Sequence, residues 1–215
     1  MKFSKGAKLS LLVVVLFIID QIIKIVVKTN MTIGETIPVL GNWFCISFVE
    51  NVGMAFGMAF GGAIGKLILT LFRIILSGCI IWYINKLLKP DDVPTGVLVG
   101  LSLILCGALG NIIDSMFYGV IFSESTPMQV ATAFPPEGGY GKFLFGKVVD
   151  MFYFPIIDTV WPEWIPVLGG RPFRFFNAIF NFADSCVTCG GIYLVIFQWR
   201  FFGRTNTENT EKSVD

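Results

Sequence analysis

The chain has 215 residues, 54% of them hydrophobic and only 14% charged, with a net charge of +1 and a mean hydropathy of +0.74. Soluble domains carry about 25% charged residues, so this is the composition of an integral membrane protein, and a near-neutral charge argues against nucleic acid or another polyanionic partner. There is no histidine, which excludes Ser-His-Asp triads, histidine-ligated zinc and imidazole general bases.

Lys2, Lys5 and Lys8 precede an apolar run from Leu9. This resembles the start of a signal peptide, but no small-x-small cleavage site follows. The run continues through Asp20-Gln21-Ile22-Ile23-Lys24 and predicts a retained first span over about 9–28. Asp20 and Lys24 stand i, i+4 and can pair as a supporting ion pair.

Within 29–63, Trp43 to Val49 has the aromatic and β-branched content of a strand. Glu50-Asn51-Val52-Gly53 then leads into the glycine-rich Gly61-Gly62-Ala63, which predicts a small β-rich loop structure. A second span over about 65–88 and a third over about 95–118 follow, separated by the turn Pro90 to Pro94. Arg73, toward the outer side of the second span, can snorkel or neutralise carboxylates. The end of the third span carries Asn111 and Asp114 at i, i+3, with Gly107 and Gly110 allowing close approach of another helix.

Residues 119–173 read as a long polar and aromatic connection, turn-rich around Pro127 and Pro135, with Trp161 and Trp164 suited to a membrane-water interface. A fourth span is predicted over about 174–202. In it Asn177, Asn181 and Asp184 stand i, i+4, i+7 and would share one helix face. The polar tail 206–215 is expected to be disordered and cytoplasmic. The fold class is thus an all-α membrane protein: one domain over 1–205, four transmembrane helices and a small extracytoplasmic β-rich loop structure. Lys2, Lys5, Lys8, Lys86, Lys89, Arg200 and Arg204 fall on one side of four alternating spans, so both termini are expected in the cytoplasm.

That alternation puts the acids of the first, third and fourth spans at one outer level. A carboxylate inside the bilayer costs ~2.5–3.5 kcal/mol and marks a functional site. Asp150, flanked by Val148, Val149, Met151 and Phe152, can dip into the interface toward Asp184. Without histidine, two carboxylates sharing a proton are the remaining acid–base device. Two other readings fit the residues: a transporter or channel with acids lining its path, and a thiol oxidoreductase using Cys186 and Cys189. Cysteines number five, four of them in apolar runs, and suggest no disulfide framework.

Four stretches, in order, resemble the lipoprotein signal peptidase (signal peptidase II) family. They are Asp20-Gln21-x-x-Lys24; Asn51-x-Gly53-x-Ala55-Phe56; Gly107-Ala108-x-Gly110-Asn111-x-x-Asp114 with Gly146-x-Val148-x-Asp150-x-Phe152; and Phe180-Asn181-x-Ala183-Asp184-Ser185. The resemblance implies an intramembrane aspartyl endopeptidase of the bacterial cytoplasmic membrane, its active site toward the extracytoplasmic face. It implies cleavage of prolipoproteins before a diacylglyceryl-cysteine, inhibition by globomycin-type peptides and no cofactor or metal. Carried over by motif, Asp150 and Asp184 are the catalytic pair, and Asp20, Lys24, Asn51, Gly53, Asn111, Asp114 and Asn181 bind substrate or support the site. The chain departs from the family at Ser115 and Glu50, where arginine is common, which leaves Lys24, Arg73 and Arg174 as candidate cations. It is also longer between Asp114 and Gly146 and between Phe154 and Arg174, and residues 119–145 are expected to form a lid.

Overall fold

The computed structural model describes residues 3–52, 62–90 and 93–203. Gly53 and the tail 206–215 lie outside the described residues.

Helix α1 runs Lys5–Asn30. Its start is set by Ser4, whose Oγ accepts from Ala7 N at 3.2 Å and so satisfies one of the amides a helix leaves open. Strands β1 (Thr36–Leu40) and β2 (Phe44–Asn51) follow, then α2 (Gly62–Leu87). Helix α3 (Thr95–Ile113) begins after Pro94, which cannot continue a helix backwards. It continues through a π-helical turn, Asp114–Tyr118, into the single turn α4, Gly119–Ile121. The chain then forms β3 (Val148–Tyr153), the hairpin β4 (Ile157–Val160) and β5 (Pro172–Phe175), β6 (Ile179–Phe180) and α5 (Phe182–Phe197).

The main sheet is antiparallel, in the order β1-β2-β3-β6. It covers the end of the bundle where α1 and α3 finish. There Val27 and Met31 of α1, Phe48, Val149 and Met151 of the sheet, and Tyr118 and Phe122 form one buried cluster. A second cluster at the opposite end joins Leu9 of α1, Ile84 and Leu87 of α2, Val97 to Leu105 of α3, and Leu194 of α5. Chain direction therefore alternates between the four helices. α1 and α2 expose long apolar faces, among them Leu11, Ile22, Ile64, Phe72 and Ile75. An apolar surface of that extent belongs against lipid rather than water.

Among the described residues three helices are long and apolar enough to cross a membrane, by length and composition: Lys5–Asn30, Gly62–Leu87 and Thr95–Ile121. The last helix is shorter, 16 residues, and does not begin at 174 as the apolar run suggests. Pro172 and Arg174 lie in β5, Phe176 has φ +60°, and Asn181 is extended at φ −115° and ψ 178°. Asn181 and Asp184 then form a capping box that starts the helix. Asn177, Asn181 and Asp184 therefore do not share a helix face; Asn177 lies between β5 and β6, its Oδ1 accepting from Tyr153 Oη at 2.8 Å. The all-α expectation is likewise corrected, because β3 to β6 lie in or beside the stretch expected to be a connection or helix. β3 is buried at its first four positions, so it lacks the alternation that marks a half-exposed strand.

α3 packs closely on α5 through glycine. A Cβ on Gly107 would collide with the Ala183 carbonyl, and one on Gly110 would sit 2.5 Å from Asp20 Oδ2 and 3.0 Å from Ala183 Cβ. These contacts bring α1, α3 and the start of α5 together at one level.

Candidate active site

Lys24 is fully buried. Its ammonium has three protons to place, and it has three partners: Asp20 Oδ2 at 3.0 Å, Asp114 Oδ2 at 2.9 Å and Asn111 Oδ1 at 2.9 Å. The expected Asp20–Lys24 pair is thus present, with Asp114 as a second carboxylate. Gln21 closes the group. Its Nε2 donates to Asp114 Oδ1 at 3.1 Å, and its Oε1 accepts from Tyr118 Oη at 3.1 Å.

Each of these two buried acids also holds a piece of backbone. Asp20 Oδ1 accepts from Ala183 N at 2.9 Å, one residue before Asp184. Asp114 Oδ2 accepts from Val149 N at 3.3 Å, one residue before Asp150. One cation on α1 therefore fixes two acids that fix the two segments carrying Asp150 and Asp184.

Lys24 also sets the orientation of Asn111. Because Nζ needs an acceptor, Oδ1 of Asn111 faces it and Nδ2 faces the other way, donating to Asp184 Oδ1 at 2.8 Å. Asn181, fully buried, continues the chain. Its Nδ2 donates to Asn111 Oδ1 at 3.1 Å and to Asp150 Oδ1 at 2.7 Å, and its Oδ1 caps Asp184 N at 2.9 Å. Asp184 Oδ2 accepts in turn from Asn181 N at 3.3 Å. The second oxygen of Asp150 accepts from Asn51 Nδ2 at 3.2 Å. Two carboxylates from elements far apart in sequence are thereby joined through two carboxamides.

Their surroundings differ. Asp150 is 4% exposed. Burial, then the charge of Asp184, pushes its carboxyl up to about 7, against the hydrogen bonds from Asn181 and Asn51. Asp184 is only partly buried and stands in the first turn of α5, where the helix N-terminus favours negative charge. A pair of this kind can hold one proton between two acids and present both a base and an acid to a bound molecule. Arg73, half-buried on α2, lies close enough for its charge to act on Asp184 and then on Asp150. Among the described residues no group of three or more Cys, Asp or Glu is arranged to hold a metal ion. Cys186 is buried and Cys189 exposed, and both are free.

Of the residues expected at the site, Asp20, Lys24, Asn51, Asn111, Asp114, Asp150, Asn181 and Asp184 form one hydrogen-bonded group. Sequence reading missed the two backbone amides and Tyr118. It also missed the π-helical turn that shapes the wall beside Asp114. The carbonyls of Ser115 and Met116 in that turn accept from Gly146 and Leu144 N at 2.8 and 3.1 Å, and that of Gly119, at the start of α4, accepts from Gly141 N at 2.8 Å. Ser115 Oγ donates back to Asn111 O at 2.9 Å.

A family model described as Signal peptidase (SPase) II matches residues 12–200. A lipoprotein signal peptidase of Porphyromonas gingivalis is 49% identical over 195 residues, covering 91% of this chain and 84% of the relative. One of Amoebophilus asiaticus is 38% identical over 181 residues, covering 83% and 72%. Among solved structures, a bacterial membrane enzyme determined by the in meso method at 2.3 Å resolution superposes with a TM-score of 0.57 at 23% identity, covering 90% of this chain and 88% of that one. The match over nearly the whole length, with the buried acids inside it, shows that the chain belongs to the signal peptidase II family.

Proposed function

We infer that this protein removes signal peptides from prolipoproteins, and that Asp150 and Asp184 perform the hydrolysis. The observation that carries the assignment is the pairing of a water-excluded carboxyl, Asp150, with a helix-capping one, Asp184, through Asn181 and Asn111. In the Michaelis complex a water lies between the two carboxyls. The ionised member takes a proton from it as it attacks the scissile carbonyl carbon. The protonated member donates to the carbonyl oxygen, which becomes a hydroxyl of the tetrahedral intermediate. Collapse breaks the C–N bond: the proton held by the base passes to the leaving amine, and the other carboxylate takes back a proton from a hydroxyl of the intermediate, which leaves the product acid and restores the singly protonated pair. Burial of Asp150 suits it to be the proton-bearing member at neutral pH.

The cut falls before a cysteine carrying diacylglycerol, whose acyl chains remain in lipid. In this reading α5 spans the bilayer as the fourth helix, extended by the helical turn at 199–203. Together they reach roughly the 20 residues a span requires. Lys5, Lys8, Lys86, Lys89 and Arg200 at one end support cytoplasmic termini, with the sheet and acids toward the extracytoplasmic side. The segment 119–145 covers the site as a lid, and globomycin-type cyclic peptides compete for the same pocket. Gly53, outside the described residues, is assigned to substrate binding together with Asn51.

The test is cleavage of a diacylglyceryl-modified prolipoprotein by the purified protein, with and without globomycin. Asp150→Asn and Asp184→Asn should each abolish cleavage while accumulating normally in membranes. Full activity in either variant rejects the pair.

A further inference from the structure

A second buried charge cluster lies on the opposite face of β2 and β3 from Asp150. Glu50, on β2, sits opposite Val149, whereas Asn51 sits opposite Val148 and Val49 opposite Asp150. Side chains alternate across a strand, so Glu50 shares its face with buried Phe48, Val149 and Met151, and Asn51 shares the other with Asp150. Glu50 is buried among cations. Lys28, at the end of α1, pairs with it and also donates to Ser125 Oγ at 2.9 Å. Ser125 Oγ donates to Glu50 Oε1 at 2.9 Å. Lys147 Nζ is 3.1 Å from Glu50 Oε2, and its backbone N donates to Tyr140 Oη at 2.6 Å. The Tyr140 ring lies 5.0 Å from the Lys28 ammonium and 5.1 Å from that of Lys147. Burial works against the Glu50 carboxylate, but Lys28 and then Lys147 hold it below the usual range.

Such a cluster is an expensive way to gain stability, since an apolar replacement of a buried ion pair is often neutral or better. What it can supply is a unique arrangement, and β2 needs one. Between the Ile46–Phe152 and Val49–Asp150 pairs, β2 carries one residue more than β3. A bulged strand can pair one position along, and a one-residue slip would turn Asn51 away from Asp150. Slippage would carry Glu50 away from Lys28 and Lys147, which are anchored on α1 and ahead of β3.

We propose that the Lys28–Glu50–Lys147 cluster is a positioning unit that locks the β2–β3 register and so holds Asn51 against Asp150. The proposal rests on Asp150 being catalytic. Its test uses the full-length protein and the variant Lys28→Met/Glu50→Leu, which removes the pair without a change in net charge, beside Glu50→Gln. The carboxyl stretch of Asp150, identified by its loss in Asp150→Asn, is titrated by difference infrared spectroscopy, and cleavage kinetics are measured in parallel. The expected result for the double variant is a folded protein with KM near that of the parent and kcat at least tenfold lower. Its Asp150 midpoint moves upward as the Asn51 donor is lost. A folded double variant with parental kcat and midpoint overturns the proposal, as does one that cannot fold, since the cluster would then be a plain structural requirement. Should the parent protein itself fail to cleave, the proposed function fails, and the infrared midpoint alone still decides whether the cluster positions Asn51 against Asp150.

Discussion

Asn181 holds Asp150 and starts α5 with the same side chain: Nδ2 donates to Asp150 Oδ1 at 2.7 Å while Oδ1 accepts from Asp184 N at 2.9 Å. The two jobs can be separated. Asn181→Asp keeps a capping oxygen but places a third carboxylate against Asp150. Asn181→Ala loses both the cap, worth about 1 kcal/mol, and the contact. Cleavage assays with thermal melts should find Asn181→Asp close to native in stability below neutral pH yet inactive. Asn181→Ala should be both less stable and inactive.

Lys24 is the shared partner of Asp20 and Asp114. Lys24→Met strands two buried carboxylates and should cost about 3–5 kcal/mol. Adding Asp20→Asn to Lys24→Met removes one stranded charge and should recover part of that loss. Denaturation of the four proteins of this cycle measures the coupling.

The raised Asp150 carboxyl ties stability to pH. Its folded pKa of about 7 lies above the usual 3.8, so between those values the folded state binds a proton the unfolded chain has lost. Stability contributed by this group is therefore present below the unfolded pKa and falls as pH rises through about 7, by up to roughly 4 kcal/mol. Melting temperatures of the parent should decline from about pH 4 to about pH 7 and level off above it, and Asp150→Asn should flatten that decline. With Asp150 as the proton donor, kcat falls above about pH 7, where the stability has already levelled off.

Gly107 and Gly78 offer a matched pair of helix glycines. A Cβ at Gly107 meets the Ala183 carbonyl and lies 2.6 Å from Val187 Cγ2, whereas one at Gly78 meets nothing within 4 Å. Gly107→Ala should destabilise by about 1–3 kcal/mol through overpacking and lower cleavage by shifting Ala183. Gly78→Ala should be stabilising by roughly 0.5–1 kcal/mol and leave activity unchanged.

The thiols provide a check on the chemistry. Cys186→Ala/Cys189→Ala should retain most cleavage activity, because one thiol is buried and its neighbour faces outward. Complete loss of turnover in a stable double variant would favour redox chemistry instead.

Long apolar runs made α1, α2 and α3 legible, because nothing but a helix spans that length of hydrocarbon. The polar residues of α1 and α3 could be placed by depth, since a 3.6-residue period fixes which of them face inward. The start of α5 could not be read this way. Phe175, Phe176, Ala178, Ile179 and Phe180 extend the apolar run ahead of the helix, and only the Asn181 cap and the turn at Phe176 reveal the strand before it. β3 was hidden for a different reason: Val148 to Met151 are all buried, so no alternation marks the strand that carries Asp150. Non-local partners were out of reach altogether. Nothing near Lys28 in sequence points to Glu50 or Ser125, or to the inserted segment they anchor.

The paired tethers, Asp20 to Ala183 N and Asp114 to Val149 N, both converge on one ammonium, that of Lys24 on α1. A chain in which α1 has not docked lacks both tethers, so neither the segment of Asp150 nor that of Asp184 is held. Assembly of the two acidic segments is thereby made conditional on the packing of α1 against them.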